Sequence, residues 1–342
     1  MSIAQAVRLC PQATFFQGSF AHYRDASHQV QDVLIRYSPT VVMASLDEAY
    51  LDFSGTELLY PISLLPVAEL VRDDVKRSSG LDCSIGIGSN RMIAKLASDA
   101  AKPKGMMEVR PGWEEGFVAG LSLKALPGIG PKTAEHLEKL GFTDVWQVQQ
   151  RSIEDLERLL GAEAKGLKHR AHGYGGSTLS ANRLPKSVSR ETTLSEDATD
   201  VQQLDRLLTL FSARVAGQLR GEGLAARTVQ LKLRHGDFYT VTRRKTLVEA
   251  TDLDAEIYAA ARELFDPAYA EVRRRNQGVR LIGVGVSNIL PAGPADLFEA
   301  ESRTRLRQVT RAVDRVREKF GFDALKAAKL VGKKGRGGAD DE

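Results

Sequence analysis

"VVMASLDEAYLDFSG", residues 41–55, sets two runs of strand-forming residues around an adjacent acidic pair, Asp47 and Glu48. Apolar residues dominate 40–46 and 49–53, and Gly55 closes the segment, so the stretch reads as strand, tight turn, strand with the acids at the tip. Side chains of neighbouring strand residues point to opposite faces, so two adjacent acids share one ion only where the chain turns. The tip is therefore a candidate cation site. The same pattern also suits solvated turn residues that blunt a sheet edge.

The chain has 342 residues, enough for two or three domains, with 42% hydrophobic and 27% charged residues, as in soluble globular proteins. Its formal charge of +4 and pI near 9.0 favour polyanionic partners. Cys10 and Cys83 belong to no CxxC or Cys/His cluster, which argues against structural zinc and against a disulfide framework. No apolar run approaches the roughly 18 residues of a membrane span, and the N-terminus lacks a basic segment before an apolar core. A cytoplasmic protein is expected.

Working outward, residues 1–110 alternate helical and strand patterns and form an α+β domain. "YRDASHQVQDVLIRYS" has helical spacing, and "PVAELVRDDVKRSSG" is amphipathic and stops at Gly80. "CSIGIGSNRMIAKLASDAAKPKG" runs strand, glycine turn, helix, and "MMEV" is a short strand. Residues 111–180 are helical, 181–186 are a linker, and 187–290 form a second α+β domain. A loop and a final helix occupy 291–330, the helix at about 301–319, and 331–342 are a polar, disordered tail. The helix between the last two strands is expected near 254–266.

Four segments carry chemistry. In the helix of "SNRMIAKLASDAAKP", Ile93, Leu96, Ala97 and Ala100 fall on one side and Arg91, Lys95 and Lys102 on the other. A basic helix beside an acidic hairpin would suit nucleoside triphosphate chemistry, which needs carboxylates for Mg²⁺ and cations for phosphate oxygens. "LPGIGPKTAEHLEKLG", 126–141, has Gly128 and Gly130 for a tight turn, Pro131 for the first helical position and Gly141 beyond the helix end. That is the helix-hairpin-helix pattern, whose backbone N–H groups, with Lys132 alongside, meet a phosphate irrespective of base. In "TVQLKLR" apolar residues alternate with Gln230, Lys232 and Arg234, and the next strand adds Arg243, Arg244 and Lys245, which together suggest a cationic sheet surface for a phosphate backbone. Finally "PADLFEAE", 294–301, places Leu297 and Phe298 in a polar loop, a pair that can dock into a partner or tuck into its own domain.

With these pieces in order the chain resembles the Y-family DNA polymerases. The resemblance is carried by "SLDEAYLD" (45–52), "SIGIGSNRMIAKLASDAAKPKG" (84–105), "LPGIGPKTAEHLEKLG" (126–141), "KSVSRETTL" (186–194), "ARTVQLKLR" (226–234) and "RLIGVGVSN" (280–288). It implies an α+β palm at 1–110, a helical thumb at 111–180 and a little-finger domain at 187–290. It further implies a monomer that adds deoxynucleotides to the primer 3′ end of primer-template DNA, with low fidelity and tolerance of damage. Asp47 and Glu48 match the family's acidic pair for two Mg²⁺ ions, Lys102 matches the lysine that contacts the incoming deoxynucleoside triphosphate, and "DLF" at 296–298 looks like the end of a sliding-clamp motif without its leading glutamine.

One departure stands out. The family begins with a strand bearing a third metal-binding aspartate, followed by an aromatic residue and a fingers region, and the 46 residues before Asp47 match none of these. An incomplete palm and an impaired polymerase are therefore expected. The alternative is a non-catalytic DNA-binding protein that keeps the hairpin and the basic sheet. A repair nuclease or glycosylase would need a catalytic constellation that the remaining acids and histidines do not form.

Overall fold

The computed structural model describes residues 3–56, 58–60, 63–176, 179, 184–293 and 301–330. The chain divides into two compact units, Met1–Asn182 and Arg183–Glu342.

Unit 1 opens with helices α1 (Ile3–Leu9) and α2 (Phe20–Leu34), then strands β1 (Thr40–Met43) and β2 (Ala49–Asp52). The two strands pair antiparallel from Thr40↔Asp52 to Met43↔Ala49, so the hairpin expected from the sequence is present, with residues 44–48 as its loop. Helix α3 (Leu65–Ser79) carries Pro66 in its first turn, where a missing N–H costs nothing, and ends at Gly80, whose φ of 71° is the left-handed conformation that favours glycine. Val33, Leu34, Val67, Val71 and Val75 of α2 and α3 pack against Val41, Leu51 and Phe53 of the hairpin segment.

Next come β3 (Ile85–Ile87), α4 (Arg91–Ala100) and β4 (Met106–Glu108), a crossover unit in which the two strands pair in parallel. The four short strands thus form two separate two-stranded sheets. Gly86 lets α4 lie directly on β3, since a Cβ there would overlap backbone atoms Ala94 O and Ser98 N. Ile93, Leu96 and Ala97 are buried as the wheel requires, but Ala100 is exposed and Met92 takes the remaining inward position, because the helix ends at Ala100.

Helices α5 (Glu114–Ala119), α6 (Pro131–Lys139), α7 (Val145–Gln150), α8 (Ile153–Leu160) and α9 (Glu163–Ala171) complete the unit. They share one apolar core with α4: Ile93 and Leu96 belong to the same cluster as Leu137, Phe142, Val148 and Leu156. Buried Gln149 donates from Nε2 to Glu115 O (3.0 Å) and Ala171 O (2.7 Å), tying three of these helices together. The residues expected as palm and thumb therefore belong to one compact unit, and the structure puts no unit boundary at 110.

Unit 2 is a four-stranded antiparallel sheet in the order β5-β8-β6-β7, with β5 (Ser187–Ala198), β6 (Leu224–His235), β7 (Thr240–Thr251) and β8 (Val279–Pro291). Helices α10 (Val201–Gly221) and α11 (Asp254–Arg274) cover one face through Leu204, Leu208, Phe265 and Val272 against Val229, Leu231, Leu233 and Val284. Helix α11 runs past the expected end near 266 and through Pro267 to Arg274. A proline inside a helix costs about 3 kcal/mol, but Ala268, Tyr269 and Val272 beyond it are buried, and the Tyr269 ring stacks on Phe265 at 5.2 Å. That burial offsets the lost hydrogen bond. A last helix, α12 (Glu301–Phe320), follows.

Candidate active site and nucleic-acid surfaces

The hairpin loop is held by its own backbone: Ala44 and Ser45 N–H groups donate to Glu48 O at 2.8 and 3.2 Å. Ser45 Oγ donates to Asp47 Oδ1 at 2.6 Å and accepts the Asp47 N–H at 3.3 Å. This Ser45 hydrogen bond, then the backbone N–H, and to a smaller degree the Lys95 and Lys102 charges, hold the exposed Asp47 carboxyl below its ordinary pKa. Asp47 is an ionised carboxylate facing solvent at the tip.

Glu48 points into a set of partners. Its Oε2 accepts from Lys95 Nζ at 2.5 Å and its Oε1 from the Tyr50 hydroxyl at 3.0 Å. Glu48 and Tyr50 are two residues apart at the head of β2 and so share a face of it. Burial, and then the Glu48 carboxylate, push the Tyr50 hydroxyl above its usual pKa, while the Glu48 hydrogen bond raises that of Lys95. The Arg91 guanidinium lies over the Tyr50 ring, 4.8 Å from its centroid.

Helix α4 is aimed by its N-cap. The Asn90 side chain accepts the Met92 and Ile93 N–H groups, each at 3.1 Å, and donates to Gly173 O at 3.0 Å. Arg91 and Lys95, one turn apart, then meet the hairpin at Tyr50 and Glu48, and Asp99 follows one turn on. Asp99 bridges Lys95 (3.6 Å) and Lys102 (2.8 Å). Burial works against ionisation of Asp99, but the two lysines outweigh it and its pKa is lowered.

The structure thus brings the acidic pair and the basic helix together, through Lys95. Lys102, the expected triphosphate contact, sits on Asp99 one turn away, 60% exposed and open to a ligand. Sequence reasoning gave Lys95 and Tyr50 no role at the acidic pair. Their signals were the four-residue spacing of Arg91, Lys95 and Asp99 and the two-residue spacing of Glu48 and Tyr50.

The donor set at the tip is of hard anionic oxygens, which suits Mg²⁺. Asp47 accepts from Ser45 through Oδ1, whereas both Glu48 oxygens already accept a hydrogen bond, one from Lys95 and one from Tyr50, and each keeps a lone pair for an ion. No group of three or more metal-ligating side chains occurs among the described residues.

At the glycine hairpin, Gly128 has φ 87°, Gly130 is the extended N-cap of α6, and Gly141 has φ 87° beyond its end, as expected. The element before the turn is shorter than a helix, a single 3₁₀ turn at Leu123–Ala125. Lys132 is exposed and has no acidic partner among the described residues. The Arg170 guanidinium approaches the turn, 3.9 Å from where a Gly128 Cβ would stand.

The cationic sheet surface is smaller than expected. In register, Gln230↔Arg244 and Arg234↔Thr240 lie on the open face, while Leu231↔Arg243 and Val229↔Lys245 face the helices. Arg243 accordingly meets Glu271 of α11 at 3.6 Å, and Lys245 meets Glu263. Arg243 is therefore no part of the open surface, because adjacent strand residues alternate faces. Lys232 is on the open face but is paired with Glu191 at 3.0 Å. The cations left there are Arg234, hydrogen-bonded to Thr240 Oγ1, and Arg244, hydrogen-bonded to Gln230. Leu297 and Phe298 lie outside the described residues, as do 181–183 of the expected linker and the tail at 331–342. No helix among the described residues is long and apolar enough to cross a membrane.

Comparison with known proteins follows the same lines. Residues 1–99 match the impB/mucB/samB family and residues 185–297 the impB/mucB/samB family C-terminal domain. DNA polymerase IV of Dehalococcoides mccartyi strain CBDB1 is 34% identical over 330 residues, covering 96% of this chain and 83% of that one. DNA polymerase IV of Caulobacter vibrioides is 32% identical over 338 residues, covering 98% and 82%. Among solved structures, the Y-family DNA polymerase chimera Dbh-Dpo4(243-245)-Dbh matches with a TM-score of 0.71 at 24% identity, over 85% of this chain and 83% of that one, a likeness of fold. The chain belongs to the impB/mucB/samB family, the Y-family of DNA polymerases.

Proposed function

We propose that this chain is an error-prone, damage-tolerant DNA polymerase that adds deoxynucleotides to a primer 3′ end. The observation that carries the reading is an ionised, exposed Asp47 beside a Glu48 held by Lys95, with Lys102 seven residues on, just past the end of α4. Asp47 and Glu48 are the residues that would hold Mg²⁺. When bound, Mg²⁺ supplies charge neutralisation for the triphosphate and lowers the pKa of the attacking 3′ hydroxyl. Lys95, at Glu48, would add an ammonium for phosphate oxygens on the same side as Lys102. Arg91, stacked on Tyr50, adds a third cation to the same wall.

Around this site, Gly128, Gly130 and Lys132 would take one stretch of the duplex backbone, and Arg234 and Arg244 another. Palm, thumb and little-finger roles for 1–110, 111–180 and 187–290, a monomer, a cytoplasmic location and docking of Leu297 and Phe298 on a sliding clamp complete the reading. Extension is expected to depend on the acidic pair at the hairpin tip. Primer extension on a primed template with Mg²⁺ tests this. Extension that disappears in Asp47→Ala supports the reading; extension untouched by Asp47→Ala would remove the acidic pair from the chemistry.

A further inference from the structure

Helix α12 lies beyond residues 185–297 matched by the family domain, and its charges divide by face. Inward, every charged side chain is paired. Arg303 meets Glu249 and Glu256, Arg307 meets Asp252 at 3.2 Å, and Asp314 accepts from Arg220 at 2.5 and 3.0 Å. Arg317 reaches Asp254 at 3.9 Å and lies over the Phe322 ring, and Thr310 is buried. The helix is docked on α10 and α11 largely by ion pairs.

Outward, the pattern is the opposite. Arg305, Arg311, Arg315 and Lys319 are exposed and have no acidic partner among the described residues. At 100° per residue they fall within an arc of about 120°. Arg311, Arg315 and Lys319 recur every four residues, about 6 Å apart, in a row about 21 Å long from Arg305 to Lys319. A merely solvated helix face usually mixes signs, because like charges four residues apart disfavour the helix. Exposed Glu318 stands at one margin of the arc, about 20° from Arg311, so four cations face a single acid at their edge. A row so dominated by one sign, rich in guanidinium groups, is relieved when a polyanion lies along it.

We propose that the outward face of α12 is a second contact surface for the phosphate backbone of DNA, independent of base sequence. The helix is docked on the helical layer and not on the open face of the sheet, so it meets a different stretch of backbone from the one at Arg234 and Arg244. Its inward ion pairs hold the row in place before DNA arrives. The inference rests on the reading that the chain works on DNA.

The test is fluorescence-anisotropy titration of a primed duplex by the full chain across a range of salt concentrations. The Arg305→Gln/Arg311→Gln/Arg315→Gln variant keeps good helix formers and is expected to bind at least tenfold more weakly at 100 mM salt. Its log K against log salt slope should fall by about 2 to 3, at roughly 0.9 per phosphate contact. Gln308→Arg adds a cation within the same arc and should steepen the slope by about 1. Slopes unchanged in both, while Arg244→Gln lowers its own, would overturn the α12 surface and leave the proposed function standing. No salt-dependent binding by the parent chain would overturn both.

Discussion

Gly86→Ala tests whether the packing of α4 on β3 sets the active site. A Cβ at Gly86 would lie under 3.0 Å from backbone atoms of α4, with Ala97 C at 2.9 Å and Ala94 O and Ser98 N closer still. Backbone cannot rotate away as a side chain can, so the helix must move by on the order of 1 Å to restore ordinary separations. Overpacking of this kind costs typically 1–3 kcal/mol, and a clash with backbone belongs at about the top of that range. For a unit of this size about 3 kcal/mol corresponds to a Tm lower by roughly 6–12 °C. The same movement carries Lys95 off Glu48, a contact of 2.5 Å, and so should lower primer extension as well as stability. Scanning calorimetry with parallel extension assays checks both, with Gly116→Ala in α5 as the control, since nothing lies within 4 Å of a Cβ there. A Gly86→Ala chain with a Tm within 2 °C of the parent and full activity would refute the close-approach reasoning.

Three further outcomes are expected. Arg220→Met leaves Asp254 and Asp314 without their guanidinium, at a site where the Arg220 side chain is 10% exposed, and should cost unit 2 about 3–5 kcal/mol in urea denaturation. Burial acts to raise the Asp205 pKa, but Tyr258 at 2.6 Å, Lys329 at 3.2 Å and Arg262 at 2.9 Å outweigh it, and the pKa is lowered on folding. Its stabilisation is therefore present above the unfolded pKa and lost as pH falls, so the stability gap between parent and Asp205→Asn should close below about pH 4 in pH-dependent melts. Arg244→Ala should reduce the salt slope of DNA binding by about 1, whereas Arg243→Ala, on the helix side with Glu271, should leave it unchanged.

Much was legible without coordinates. The hairpin at 41–55, the stops at Gly80 and Gly141, the basic side of α4 and the strand alternation of "TVQLKLR" follow from turn chemistry, capping and periodicity, all of which act within a few residues. The placing of Arg243 and Arg244 on opposite faces is also legible there, because adjacent residues of a strand alternate faces.

What the chain's order could not contain lies between elements. Whether Lys95 or Lys102 meets Glu48 depends on the rotation of α4 over β3, which Gly86 and the Asn90 cap decide together. Whether Lys232 is free depends on Glu191, which reaches it across Gly283 from the far side of β8. Whether α11 stops at Pro267 depends on the sheet that buries Ala268 and Val272 beyond it. Local pattern determined which residues form each element and which side of it is charged. Tertiary packing alone decided which charges meet and which remain open, because partners 40 or more residues apart are brought together only by the core they share.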